Sequence, residues 1–187
     1  MIREVIEEHL ATIEKLKALE PEIATAARMC SETIQSGQRI YLMGNGGSAA
    51  DSQHIAAEFV GRFQVERNPL PAVAFTTDTS ILTAVGNDYG YDAIFLRQVQ
   101  AFVQKNDLVI GISTSGNSPS IVRAMEEAKR RGARTLALTG QGGGKLAGCA
   151  DLCLAVPAPV TARVQEAHIL IGHILCQHID EVCHDCP

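Results

Sequence analysis

Five short apolar runs, at 39–43, 72–75, 108–112, 135–138 and 152–156, are separated by stretches of helical patterning. Runs of this kind with helices between them predict strands of a parallel sheet covered on both faces. The fold class expected is α/β, with a central five-stranded parallel sheet flanked by helices in three layers. The intervening helices are expected at roughly 48–61, 79–85, 92–102, 118–131 and 161–181. Ahead of them Ile2, Val5, Ile6, Leu10, Ile13, Leu16 and Leu19 recur at helical spacing, which predicts an amphipathic leading segment. Pro21 either ends that helix or starts a second one. The apolar stripe needs a cover, either the sheet or another subunit.

With 187 residues and 46% hydrophobic content, the chain suits one domain. Residues 1–36 form the leading helices, 37–181 the α/β core and 182–187 a Cys-rich tail. The formal net charge of −5, with Lys and Arg dispersed, offers no basic stripe for nucleic acid. The N-terminus is charged without an apolar signal core, and no stretch is long and apolar enough to span a bilayer. A cytoplasmic protein with no membrane partner is expected. Cys30, Cys149, Cys153, Cys176, Cys183 and Cys186 are then expected as free thiols. Cys183 and Cys186, with His178 and His184 nearby, lack the second pair that completes a zinc clip.

In open parallel sheets ligands gather beyond the carboxyl ends of the strands, so the loops there carry the functional reading. The first run leads into Gly44, Asn45, Gly46, Gly47 and Ser48 before a helix. Glycines allow close backbone approach, and a helix N-terminus offers N–H groups to an anion. Ser48 also reads as an N-cap, with Asp51 completing a box-like start. Neither the dinucleotide fingerprint nor the P-loop pattern fits. After the third run come Ser113, Thr114, Ser115, Gly116, Asn117, Ser118 and Pro119. Ser118 is a good N-cap and Pro119 suits the first helical position, but capping explains only one hydroxyl. Ser113, Thr114 and Ser115 remain for a phosphate. A third glycine-rich stretch, 139–145, reads as turn geometry.

These two loops in this order, with 85–90 (Val-Gly-Asn-Asp-Tyr-Gly) between them and 163–168 (Arg-Val-Gln-Glu-Ala-His) near the end, resemble the sugar isomerase (SIS) domain. The similarity extends over nearly the whole chain and is greatest to the phosphoheptose isomerase family. It implies a flavodoxin-like three-layer core, a homotetramer with sites between subunits, and interconversion of sedoheptulose 7-phosphate and a manno-configured heptose 7-phosphate. The resemblance places substrate contacts at Asn45, Gly46, Gly47, Ser48, Glu58, Asn87, Asp88, Ser113, Thr114, Ser115, Ser118 and Gln165. It places one Zn²⁺ per subunit on His54, Glu58, Gln165 and His173.

His54 and Glu58, at i and i+4, share a helix face; on spacing alone such a pair is more often an ion pair than a metal site. Gln165 and His173 stand about 80° apart on an ideal helix, whereas Glu166 aligns better with His173 and is a second candidate. The isomerisation needs a base beside a carbonyl and a group that stabilises the enediolate oxygen, for which Glu58 is read as base and His173 as acid. A carboxylate fully engaged by Zn²⁺ is a poor proton acceptor. Either ligands exchange in turnover, or the metal polarises oxygens while one residue shuttles protons. A non-catalytic sugar-phosphate-binding regulator of the same family, related to DnaA initiator-associating protein, is the alternative. The joint presence of His54, Glu58, Gln165 and His173 favours the enzyme.

Overall fold

The computed structural model describes residues 1–183. Strands β1 (Ile40–Gly44), β2 (Ala72–Ala74), β3 (Leu108–Ser113), β4 (Arg134–Thr139) and β5 (Leu152–Ala155) form a parallel sheet in the order β2-β1-β3-β4-β5. The central runs are buried on both sides of it, whereas Val73 of the edge strand β2 is exposed. Ile40 and Leu42 enter one core with Leu108, Ile110, Ile112, Leu136 and Leu138, while Tyr41 and Met43 enter the other with Val109 and Ala137. Because successive strand residues alternate faces, a sheet with a core on each side requires continuous apolar runs.

Helices α2 (Glu20–Gln35), α3 (Gly47–Val60) and α8 (Thr161–Val182) cover the first face. Helices α4 (Thr79–Tyr89), α5 (Ile94–Phe102) and α6 (Pro119–Arg130) cover the second. Gly111 admits α6 closely, since a Cβ there would lie 2.9 Å from Ile121 and 3.0 Å from Met125. The short α7 (Leu146–Cys149) was not anticipated from the pattern. Helix α4 runs four residues beyond the expected 85. Asp78 caps it by accepting from the Ile81 N–H at 2.8 Å, and Gly90, at φ +84, ends it.

Helix α1 (Ile2–Leu16) is followed by a 3₁₀ turn at Lys17–Leu19, and Pro21 lies in the first turn of α2. Pro21 therefore starts the second helix, where its missing N–H costs nothing. Ile2, Val5, Ile6 and Leu10 stay exposed. The helix is tied to α8 by polar contacts: His9 Nδ1 lies 2.7 Å from Glu166 Oε2, and Arg163 donates to the Val5 carbonyl at 2.9 Å. Cys30, Cys149, Cys153 and Cys176 carry free thiols. Cys186 and His184 lie outside the described residues.

Below α3, Arg67 is buried with its side chain 0% exposed and ion-pairs with Asp180 at 2.8 Å. It also donates to the carbonyls of Glu58 and Phe59 at 2.8 and 2.9 Å. The carboxyl end of α3 is thereby fastened to α8.

Candidate active site

The strand order reverses direction at β1 and β3, so the loops leaving these neighbouring strands open into the crevice where α/β sheets hold ligands. After β3, the Ser113 and Ser118 hydroxyls are 2.9 Å apart and that of Ser115 lies 3.5 Å from Ser113. Ser118 occupies the N-cap position of α6, but its side chain makes no capping bond, and Pro119 is at the helix start. The expectation that Ser118 caps through its hydroxyl is corrected here. The group points into the hydroxyl cluster instead of onto the first turn of α6, where Pro119 has no N–H and the Ile121 N–H is taken by the Ser118 carbonyl at 3.0 Å. Clustered hydroxyls beside a helix N-terminus suit a tetrahedral anion. Thr114 is half-buried beside them.

The third glycine-rich stretch braces this loop. Gly140 donates to the Thr114 carbonyl at 3.0 Å, Leu146 to the Gly116 carbonyl at 3.0 Å, and the Lys145 N–H to Asn117 Oδ1 at 3.1 Å. Gly116, at φ +65, has no space for a Cβ, which would meet the backbone of Gly143 and Gly144. Reading the stretch as a turn captured the positive φ of Gly142, Gly143 and Gly144 but missed this contact. Its sequence signal is a second set of glycines following the next strand.

After β1, Gly46, at φ +58, is the N-cap of α3. Ser48 therefore lies inside the first helical turn, buried, with its carbonyl accepting from the Ser52 hydroxyl at 2.8 Å; the N-cap reading of Ser48 is corrected. Gly47 lies against the side-chain amide of Gln165, and a Cβ there would collide with it. Asn45 joins the two loops: its amide donates to Ser120 Oγ at 3.0 Å and its carbonyl accepts from the Tyr91 hydroxyl at 2.8 Å. Sequence reasoning missed Ser120 and Tyr91, which stand outside the glycine and serine motifs.

Helices α3 and α8 bring the chemical residues together. His54 Nε2 lies 3.0 Å from His173 Nε2 and 3.6 Å from Glu58 Oε1. The Phe63 ring stacks on His173 with centroids 5.4 Å apart. Adjacent donors of a tetrahedral zinc site stand about 3.3 Å apart, so these spacings fit the donor chemistry. Among the described residues, however, no group of three or more His, Cys, Asp and Glu side chains is arranged as a metal site. Asp51 Oδ2 is buried without a hydrogen-bond partner. Burial pushes this carboxyl up, opposed by the nearby His54.

Glu166 is turned away from the site toward α1, held by His9 and Arg163. Burial raises its carboxyl, but the hydrogen bonds from His9 and Arg163 and their charges outweigh this and hold it below the ordinary carboxylate range. Glu166 aligns with His173 in helical phase, but these partners capture its side chain. Asn87 and Asp88, in the last turn of α4, are exposed and hydrogen-bonded to each other at 2.8 Å; the structure does not join them to the other candidates. A separate, mainly apolar groove of about 580 Å³ lies between α1, α2 and α8.

The SIS domain profile matches residues 4–140. A phosphoheptose isomerase of Nitratiruptor is 54% identical over 93% of this chain and 94% of its own length. The chain belongs to the phosphoheptose isomerase family of SIS-domain proteins. A second family member, from Geobacter sulfurreducens, is 51% identical over 97% of this chain and 98% of its own. The solved phosphoheptose isomerase of Neisseria gonorrhoeae superimposes with a TM-score of 0.92 at 43% identity, covering 97% of both chains. Fold, leading helices and parallel sheet are thus those of the family, and the chain is a sugar-phosphate isomerase by kinship. No described helix is long and apolar enough to cross a membrane.

Proposed function

We propose that this protein converts sedoheptulose 7-phosphate to D-glycero-D-manno-heptose 7-phosphate, supplying nucleotide-activated heptose synthesis. The observation that carries the reading is a hydroxyl cluster, for phosphate, after β3 together with the close approach of His54, Glu58 and His173 between α3 and α8. The non-catalytic regulator is disfavoured because relatives at about half identity over nearly the full chain are isomerases by name.

The Ser113, Thr114, Ser115 and Ser118 hydroxyls and the α6 N-terminus hold the phosphate, while Asn45, Asn87, Asp88 and Gln165 take sugar hydroxyls. Glu58 removes the C1 proton of the ketose as His173 protonates the C2 oxygen, giving an enediol. Return of the proton from Glu58 to C2, with the C1 hydroxyl proton passing to His173, leaves the aldehyde and restores both groups. His54, Glu58, Gln165 and His173 are assigned one Zn²⁺ per subunit, which when bound supplies polarisation of the substrate oxygens. Purified protein should turn over sedoheptulose 7-phosphate, and a chelator should abolish that turnover until zinc is restored. Turnover that survives chelation removes the metal from the mechanism; none from zinc-replete protein that binds the sugar phosphate favours the regulator.

The working unit proposed is a cytoplasmic homotetramer. Exposed Ile2, Val5, Ile6 and Leu10 on α1 support it, since an apolar stripe of this kind gains from burial against another subunit. Light scattering at micromolar concentration should return four times the 20.0 kDa chain mass. A monomer there counts against the assembly and against sites shared between subunits.

A further inference from the structure

We propose that His168 is a positioning residue that fixes the phosphate-binding hydroxyl loop relative to the helix bearing Gln165 and His173. The inference rests on the isomerase reading above, in which the loop and that helix hold opposite ends of one substrate.

His168 lies on α8 with no solvent exposure, and its Nε2 is 3.0 Å from the carbonyl oxygen of Thr139. A carbonyl only accepts, so Nε2 carries the proton and donates. The same carbonyl accepts from the Val156 N–H at 2.9 Å, and the next N–H, that of Gly140, donates to the Thr114 carbonyl at 3.0 Å. One peptide group at the carboxyl end of β4 is therefore gripped by α8, by the segment after β5 and by the hydroxyl loop. Gly140 permits the approach, because a Cβ there would strike the Thr114 carbonyl. Nothing else in the described hydrogen bonding runs from α8 through one peptide to this loop.

Two further features suit a fixed, neutral strut. His168 Nδ1 is buried without a partner, an arrangement that costs free energy and gives the core no packing that an apolar side chain would lack. Burial also pushes the imidazole down to about 4, against the hydrogen bond to Thr139, so the ring stays a neutral Nε2–H donor at neutral pH. The hydroxyl loop keeps its own bonds, Ser113 to Ser118 and Asn117 to Ser115. Loss of His168 should leave the phosphate cradle formed but displaced from the reacting carbons. Small displacements of bound groups are expensive, about a hundredfold in rate for 1 Å.

The test is steady-state kinetics of the zinc-replete, full-length protein on sedoheptulose 7-phosphate, with inorganic phosphate as a competitive probe of the loop. His168→Leu, which lacks the donor, should lower kcat about tenfold to a hundredfold while the inhibition constant for phosphate moves less than about twofold. His168→Gln, whose terminal amide restores a donor near Nε2, should recover most of the rate with the pH profile of the parent protein. Should His168→Leu not fold, His168→Asn, polar but too short to reach Thr139, replaces it with the same expectation. Unchanged kcat in the donor-less variant overturns the inference, as does equal loss of rate in His168→Gln. Weakening of phosphate and substrate in parallel also overturns it, by showing collapse of the cradle. Failure of the parent protein to turn over the sugar would instead strike the isomerase reading itself.

Discussion

Glu58→Gln is expected to lower kcat for sedoheptulose 7-phosphate by about a thousandfold, the range lost when a general base is removed from a proton abstraction. The substitution keeps the shape of the side chain and the backbone carbonyl that Arg67 holds, so the fold should survive. Glu58 is half-buried on the α3 face that also presents His54, with Phe63 and His173 opposite. An amide there still accepts hydrogen bonds but cannot take a proton from carbon. KM should change by less than about fivefold, since the phosphate is held by a separate loop. Zinc content measured on the same preparation separates the two roles given to this carboxylate. A variant that keeps its metal and loses its rate places Glu58 in the proton transfer, whereas full activity in Glu58→Gln would rule it out as the base.

Much of this was legible from the chain because both signals are local. The five apolar runs read as strands since the central ones, β1 and β3, are buried on both faces, and every one is a strand. The glycine and serine loops announced themselves by following those runs. What was not legible depends on contacts far apart in sequence. Whether Ser118 caps a helix or faces Ser113 is decided by loop packing, and composition is the same in both cases. Glu166 and Gln165 are neighbours on α8, yet one is captured by α1 and the other lies on Gly47. Helical phase alone does not foresee this difference, because an 80° offset still lies within one broad face and the partners of each side chain decide where it goes. The clamps made by Arg67 and His168 were invisible for the same reason, being single residues whose partners come from distant segments.

Arg67→Met is expected to destabilise the protein by about 3–5 kcal/mol, the cost of leaving a buried carboxylate without its cation, and to lower Tm by about 10 °C. The guanidinium donates to Asp180, to the Glu58 and Phe59 carbonyls and to the Asn68 carbonyl, and methionine replaces none of these bonds. Asp180 would keep the N–H groups of Gln64 and Val65, at 2.6 and 3.1 Å, but no cation among these described partners. Burial raises the Asp180 carboxyl, yet these two hydrogen bonds and Arg67 outweigh it and hold the group below the ordinary carboxylate range. A carboxyl depressed in the folded state contributes stability that is complete above its unfolded pKa of about 3.9 and is lost as pH falls below it. The parent protein should therefore shed this contribution below about pH 4. A double variant, Arg67→Met with Asp180→Leu, should recover most of the loss at neutral pH and lack that acid-dependent step, because an apolar pair leaves no charge stranded. Thermal melts from pH 7 to pH 3 decide it. A Tm for Arg67→Met within about 2 °C of the parent would show that the pair is structurally idle. A large drop would mean that the carboxyl end of α3, and with it the Glu58 backbone, is held in place by a charge pair sequestered beneath the site.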